Sequence, residues 1–167
     1  MTNATIPSKK VLKRKAQILV NCTQEEAFKY ISNSENLPQW LTKLGPIPGA
    51  QKVEIIKGPY DFIGAKRKIF FDEGNVGTEE LISYDPYANY AYKISNFNKL
   101  FGKLTDAAYG QLWFDQKGEQ IRISWNYTFT YKNIFARMLL SIILTLFYVR
   151  FLKQALGNAA TALEKES

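Results

Sequence analysis

The end of the sequence constrains the fold most. From Gln120 to Tyr131 apolar and polar residues alternate: Ile121, Ile123, Trp125, Tyr127, Phe129 and Tyr131 share one parity, and Arg122, Ser124, Asn126, Thr128 and Thr130 share the other. Alternation of period two describes a strand with one face against a core and one toward water. Asn133 then offers an N-cap, and Ile134 to about Lys165 reads as one long helix. An aromatic strand face must be covered. The terminal helix is the only element long enough to cover it.

The upstream chain supplies the rest of a sheet. Val11 to Cys22 is strand-like, with Leu12, Ala16, Ile18, Val20 and Cys22 on one parity. Thr23-Gln-Glu-Glu26 is a capping box, and the helix after it turns Ala27, Phe28 and Ile31 inward. A second short helix or turn carries Leu37, Trp40, Leu41 and Leu44 before Gly45-Pro46-Ile47-Pro48-Gly49 breaks it. Strands are expected at Lys52 to Lys57, Ala65 to Phe71, Val76 to Tyr84, Tyr90 to Ser95 and Leu104 to Phe114, with Asn96 to Lys103 a loop. The order predicts an α+β chain: a strand, two short helices, about six antiparallel strands and a long helix. At 167 residues this is one domain, 1–167, with residues 1–9 as a flexible tail.

Composition narrows the chemistry. There is no histidine, so Ser-His-Asp and Cys-His machinery is excluded. The single cysteine, Cys22, excludes an internal disulfide and reads as a small apolar residue at a strand end. No metal site and no cofactor is expected, and no Gly-x-Gly-x-x-Gly or P-loop pattern occurs. Met1 to Ser8 lacks the apolar stretch of a signal peptide, so a cytoplasmic location is the expectation. The net charge of +7 favours acidic partners, and Lys9, Lys10, Lys13, Arg14 and Lys15 form a basic run. That run reads either as a solvated strand edge or as an anion-binding patch. Nucleic acid is disfavoured, because nothing resembles a stacking platform or a groove-reading helix.

Several short runs carry a resemblance. They are Thr23-Gln-Glu-Glu-Ala-Phe28, Asn36-Leu37-Pro38-Gln39-Trp40, Ile63-Gly64-Ala65-Lys66-Arg67, Asp72-Glu73-Gly74, Glu79-Glu80 followed by Asp85-Pro86, and Ile123-Ser124-Trp125. In this order and spacing, from Lys15 to about Leu163, the chain resembles the START-like, birch-pollen-allergen-like superfamily. It looks most like the polyketide cyclase/dehydrase and lipid-transport branch. The resemblance implies a helix-grip fold, in which a curved antiparallel sheet wraps a long C-terminal helix and leaves a hydrophobic ligand cavity between them. Members share a cavity rather than one catalytic constellation, so function must be argued from the site.

The candidate cavity wall comprises Trp125, Tyr127 and Phe129, with Trp40 near the mouth and Phe71, Tyr92, Tyr109 and Trp113 as further positions. Each also has a plain packing reading, since aromatic stripes usually form core. On a regular helical wheel Phe135, Met138, Leu139, Ile142, Leu146, Val149, Leu156 and Ala160 form the sheet-facing stripe, which adds Ile142 and Leu146 to the wall. The expected function is binding and sequestration of a lipid, isoprenoid or polyketide-like molecule. The enzymatic alternative is a cyclase or dehydratase using tyrosines and a cavity carboxylate, for which Glu79, Glu80 and Asp72 are the candidates. Only one of Glu79 and Glu80 can point inward, where it would titrate as an acid or base; the plain alternative is a surface glutamate or one paired with Arg67 or Lys68.

The wheel leaves Leu140, Leu144, Phe147 and Phe151 on the back of the helix, where charge is expected. Three coverings are open: the Phe97-Leu100-Phe101 loop, a homodimer seam, or an anionic membrane interface assisted by the basic run. The last two make a second alternative, an interaction module without a ligand. A membrane-spanning segment requires Arg137 and Arg150 to snorkel.

Overall fold

The computed structural model describes residues 5–166. Residues 1–4 of the expected tail lie outside the described residues. The elements run β1 (Val11–Val20), α1 (Gln24–Ser32), α2 (Leu37–Trp40), β2 (Ala50–Lys57), β3 (Lys66–Phe71), β4 (Val76–Asp85), β5 (Asn89–Ser95), α3 (Lys99–Leu104), β6 (Ala107–Lys117) and β7 (Gln120–Thr130). A terminal helix follows as α4 (Ile134–Ile143) and α5 (Val149–Glu166), joined by a π-helical turn over Leu144–Tyr148. The segment expected as a loop over Asn96 to Lys103 holds α3 instead.

Seven strands form one antiparallel sheet in the order β1-β7-β6-β5-β4-β3-β2. The consecutive strands β1 and β2 therefore form opposite edges, and α1 and α2 lie in the crossing between them. Together with the long terminal helix against the concave face, this is the helix-grip fold. The capping box forms: Glu26 N donates to Thr23 Oγ1 at 3.2 Å, and Thr23 N donates to Glu26 Oε2 at 2.8 Å. Asn133 caps α4, its Oδ1 accepting from Ala136 N at 2.9 Å.

Register sets the faces of the sheet, because side chains of directly opposed residues share a face. Ala16, Trp125 and Leu112 stand in one row, and Tyr127, Gly110 and Tyr92 in another. These rows, with Ile123 and Phe129, are buried beneath the terminal helix. Tyr109 and Trp113 oppose Thr128 and Ser124, so they lie on the convex face. Their assignment to the cavity wall is corrected. Strand β6 carries aromatic residues on both faces, and its own alternation does not identify the inner one.

The terminal helix needs a larger correction. Leu140, Leu144 and Phe151, expected on its back, are buried in the core, and Phe147 is half-buried with its ring against Gly45. They cannot form a homodimer seam. The exposed residues are Phe135, Met138, Leu139, Ile142 and Leu146, so Ile142 and Leu146 are not wall residues. The reason is the π turn. Residues eighteen apart lie five turns apart on a regular helix and share a face. Here Met138 is 59% exposed against 0% for Leu156, and Ile142 is 54% exposed against 7% for Ala160. The extra residue in the π turn rotates α4 relative to α5 by about 100°.

Candidate functional site: an aromatic cavity beneath the terminal helix

The space between sheet and helix is nearly filled. A cavity of about 70 Å³ remains, lined by the concave face of β3–β7, by α2 and its following loop, and by Tyr148 and Phe151 of the terminal helix. Sites for drug-sized ligands measure roughly 300–1,000 Å³. The walls are mostly aromatic. Tyr127 packs on Trp125, Phe129 and Tyr148 with ring centroids 5.2–5.5 Å apart, and Trp40 meets Trp125 edge-on at 5.5 Å.

Polar atoms are few and are organised in two groups. On the sheet floor, Trp125 Nε1 donates to Tyr92 Oη at 3.0 Å, and Tyr92 Oη donates to Tyr127 Oη at 3.3 Å. Gly110 makes this possible: a Cβ there would fall 2.2 Å from Tyr92 Cζ, so no other residue leaves room for that ring. Burial raises the pKa of Tyr92, Tyr127 and Tyr148 above the ordinary phenol value. Trp40, edge-on to Trp125, is 2% exposed, and its Nε1 has no hydrogen-bond partner among the described residues. It is the unsatisfied donor of this cavity.

The second group is a buried ion pair on β3 and β4. Glu79 Oε1 accepts from Arg67 Nη2 at 2.6 Å, from Arg67 Nε at 2.9 Å and from Tyr60 Oη at 2.5 Å. Arg67 Nη1 donates to Ser34 Oγ at 3.0 Å, and the Tyr60 ring lies 4.2 Å from the guanidinium carbon. Burial opposes the Arg67 charge, but the Glu79 carboxylate, with smaller help from Tyr60 and Tyr90, outweighs this and raises its pKa. Burial, and then the same carboxylate, push Tyr60 well above its ordinary value. Of the three candidate carboxylates only Glu79 lines the cavity. Glu80 faces the other side of the sheet and pairs with Lys66 at 3.3 Å. Asp72 clasps two loops: its Oδ2 accepts from Gly49 N at 2.8 Å and its Oδ1 from Gln51. Neither Glu80 nor Asp72 is a cavity residue.

Asp72 belongs to the mouth. The loop between α2 and β2 lines it with Ile47 and Pro48, the β3–β4 turn with Phe71, Asn75 and Val76, and the approach to α3 with Phe97 and Asn98. Asn98 Oδ1 accepts from Val76 N, and Asn98 Nδ2 donates to Gly74 O, both at 2.8 Å. With the Asp72 clasp, these bonds hold the β3–β4 turn on both sides.

Trp40, Phe71, Tyr92, Trp125, Tyr127 and Phe129 of the expected set thus line one cavity. Sequence reasoning missed Tyr60, Tyr90 and Tyr148, and it named Arg67 only as a possible partner. Arg67 was the recoverable one, because Arg67 and Glu79 are equally distant in sequence from Glu73 at the hairpin turn. Among the described residues no cluster of three or more metal-ligating side chains occurs.

Residues 12–164 match the sequence profile of the family described as polyketide cyclase / dehydrase and lipid transport. Many solved structures share the fold, among them the following three. The protein TTHA0849 of Thermus thermophilus superposes with a TM-score of 0.72 at 14% identity, covering 93% of this chain and 99% of its own. The major latex-like protein 151 of Panax ginseng gives 0.64 at 13% identity, with 92% and 97% covered. Ara h 8.0201 gives 0.63 at 15% identity, with 90% and 99% covered. No curated protein matches the chain in sequence.

Proposed function

The chain belongs to the polyketide cyclase/dehydrase and lipid-transport family, and from that premise we propose that it binds and sequesters a small hydrophobic molecule bearing one hydrogen-bonding end. The family supports a hydrophobic ligand-binding or polyketide-cyclase-like fold. The observation that carries the reading is the contrast inside the cavity: aromatic walls with a short chain of hydroxyls on the floor and an unsatisfied N–H on Trp40. Apolar surface supplies affinity at about 25 cal/mol per Å² removed from water. The donors orient the ligand's acceptor, because a buried acceptor left unpaired is costly. The small volume favours either a compact ligand or one that enters as the mouth loops part.

Native mass spectrometry of the purified chain tests this together with tryptophan fluorescence, since Trp40 and Trp125 both line the cavity. A copurified small molecule, or saturable quenching by a medium-chain fatty acid or a flat aromatic phenol, is the expected result. Trp40→Phe and Tyr127→Phe should weaken that binding about tenfold, the worth of one buried hydrogen bond. An apo mass with no saturable response to either ligand class overturns the proposal.

A cyclase-type reading draws on one observation, that Glu79 lines the cavity 2.5 Å from Tyr60 Oη. Three donors already converge on Oε1, so that oxygen is fully engaged by Arg67 and Tyr60 and is not free to take a proton from a ligand while Arg67 stays in place. Binding without catalysis is the reading this arrangement favours.

A further inference from the structure

The face of α4 opposite the sheet is apolar and uncovered. Ile134, Phe135, Met138, Leu139, Ile142 and Leu146 are between 43% and 79% exposed, while Ala136, Leu140 and Ile143 on the other side are buried. Helix α3 packs beside α4 and adds Leu100, 40% exposed. A contiguous surface of this kind marks an interaction site. We propose that it docks α4 into the interface of an anionic lipid membrane.

Charge selects the occupant. From Asn133 to Leu163 the sequence contains no Asp or Glu, whereas Arg137, Arg150 and Lys153 are exposed along it. Arg14 Nη2 donates to Thr145 Oγ1 at 2.7 Å, which sets the Arg14 guanidinium against the flank of the helix. An apolar stripe with a basic rim is the pattern of a helix lying in the headgroup region. A second copy meeting the same face would bring these cations toward one another, and anionic headgroups neutralise them instead.

The whole terminal helix is long and apolar enough to cross a bilayer. Its rear half is not available to do so: Leu152, Ala155, Leu156 and Ala159 are buried in the core. The helix therefore lies along the membrane, with only α4 facing lipid. Helix α3 separates this face from the cavity, Phe101 lining the cavity and Leu100 turning outward. The proposal stands whether or not the cavity takes a ligand.

The test is sedimentation of the full chain with vesicles of phosphatidylcholine alone and of phosphatidylcholine containing phosphatidylglycerol. Binding should be at least about tenfold stronger to the anionic vesicles and should weaken with added salt. The double variant Phe135→Asp/Met138→Asp should lower it by about tenfold or more at an unchanged melting temperature. Arg137→Glu should lower binding to anionic vesicles and leave the weak association with neutral ones as it was. No binding to anionic vesicles, or equal binding by the Asp variant, overturns the proposal. A concentration-dependent dimer that the Asp variant dissociates also overturns it, since a second copy would then cover the face.

Discussion

Arg67 and Glu79 stand directly opposite each other on β3 and β4, and their side chains are 2% and 3% exposed. The guanidinium also reaches Ser34 in the connection between α1 and α2, so the pair ties the sheet to the segment that crosses between its edges. Two charges withdrawn from water in this way hold only while both are present.

Removing either partner should be far worse than removing both. Arg67→Met and Glu79→Leu should each destabilise by about 3–5 kcal/mol, and the double variant should recover most of that loss. Urea denaturation with a two-state fit measures the cycle. A double variant less stable than either single one would show that the pair is not coupled.

Gly110 is the residue on which the tyrosine floor depends. In Gly110→Ala the new methyl group would press on the Tyr92 ring, which also carries the acceptor for Trp125 Nε1. A loss of about 1–3 kcal/mol from overpacking is expected, with a changed Trp125 emission. Thermal unfolding followed by tryptophan fluorescence would show both, and an unchanged midpoint would refute the role assigned to this glycine.

Alkaline pH should unfold the protein cooperatively. Burial raises the pKa of Tyr60, Tyr90, Tyr92, Tyr127 and Tyr148 above the ordinary value of 10.0. Above about pH 10 the unfolded chain releases phenolic protons that the folded chain retains, so the unfolded state binds fewer protons and stability falls as pH rises. Below that pH these groups contribute no slope. Tyrosinate absorbance for these five of the ten tyrosines should therefore appear together with loss of ellipticity. Complete titration with the ellipticity intact would contradict the burial.

The capping box gives a local test. Thr23→Ala removes the acceptor for Glu26 N and should cost about 1 kcal/mol, within a range of roughly 0.5–2, while Thr23→Ser should cost little. Calorimetric melting temperatures of the two variants would separate capping from mere loss of a methyl group.

Legibility followed the length over which a physical signal repeats. The alternation in β7 is long and strict, and it identified Trp125, Tyr127 and Phe129 as inward-facing. The Thr23–Glu26 pair is local and fixed the start of α1. The inward choice between Glu79 and Glu80 was not settled from β4 alone, whose parity is interrupted by a bulge between Leu81 and Ser83. The register offers each glutamate a cation, and burial decides it: the Arg67–Glu79 pair is withdrawn from water and the Lys66–Glu80 pair is exposed. Tyr109 and Trp113 were misplaced because β6 is apolar on both sides. The faces of the terminal helix were reversed at its front because a wheel assumes a constant rotation per residue. Its sequence offers no Gly or Pro to mark the π turn, and the turn is fixed by contacts with a sheet that the wheel does not include.

Since α5 is held by the core, the surplus residue before it acts as a rotary setting for what precedes it. Gain or loss of a single codon in that turn would swing α4 by about 100° and carry part of its solvent-facing apolar stripe toward the sheet while drawing buried side chains out. Descendants of this chain would therefore be expected to conserve the spacing between Leu140 and Leu152 more strictly than the identities of the residues between them.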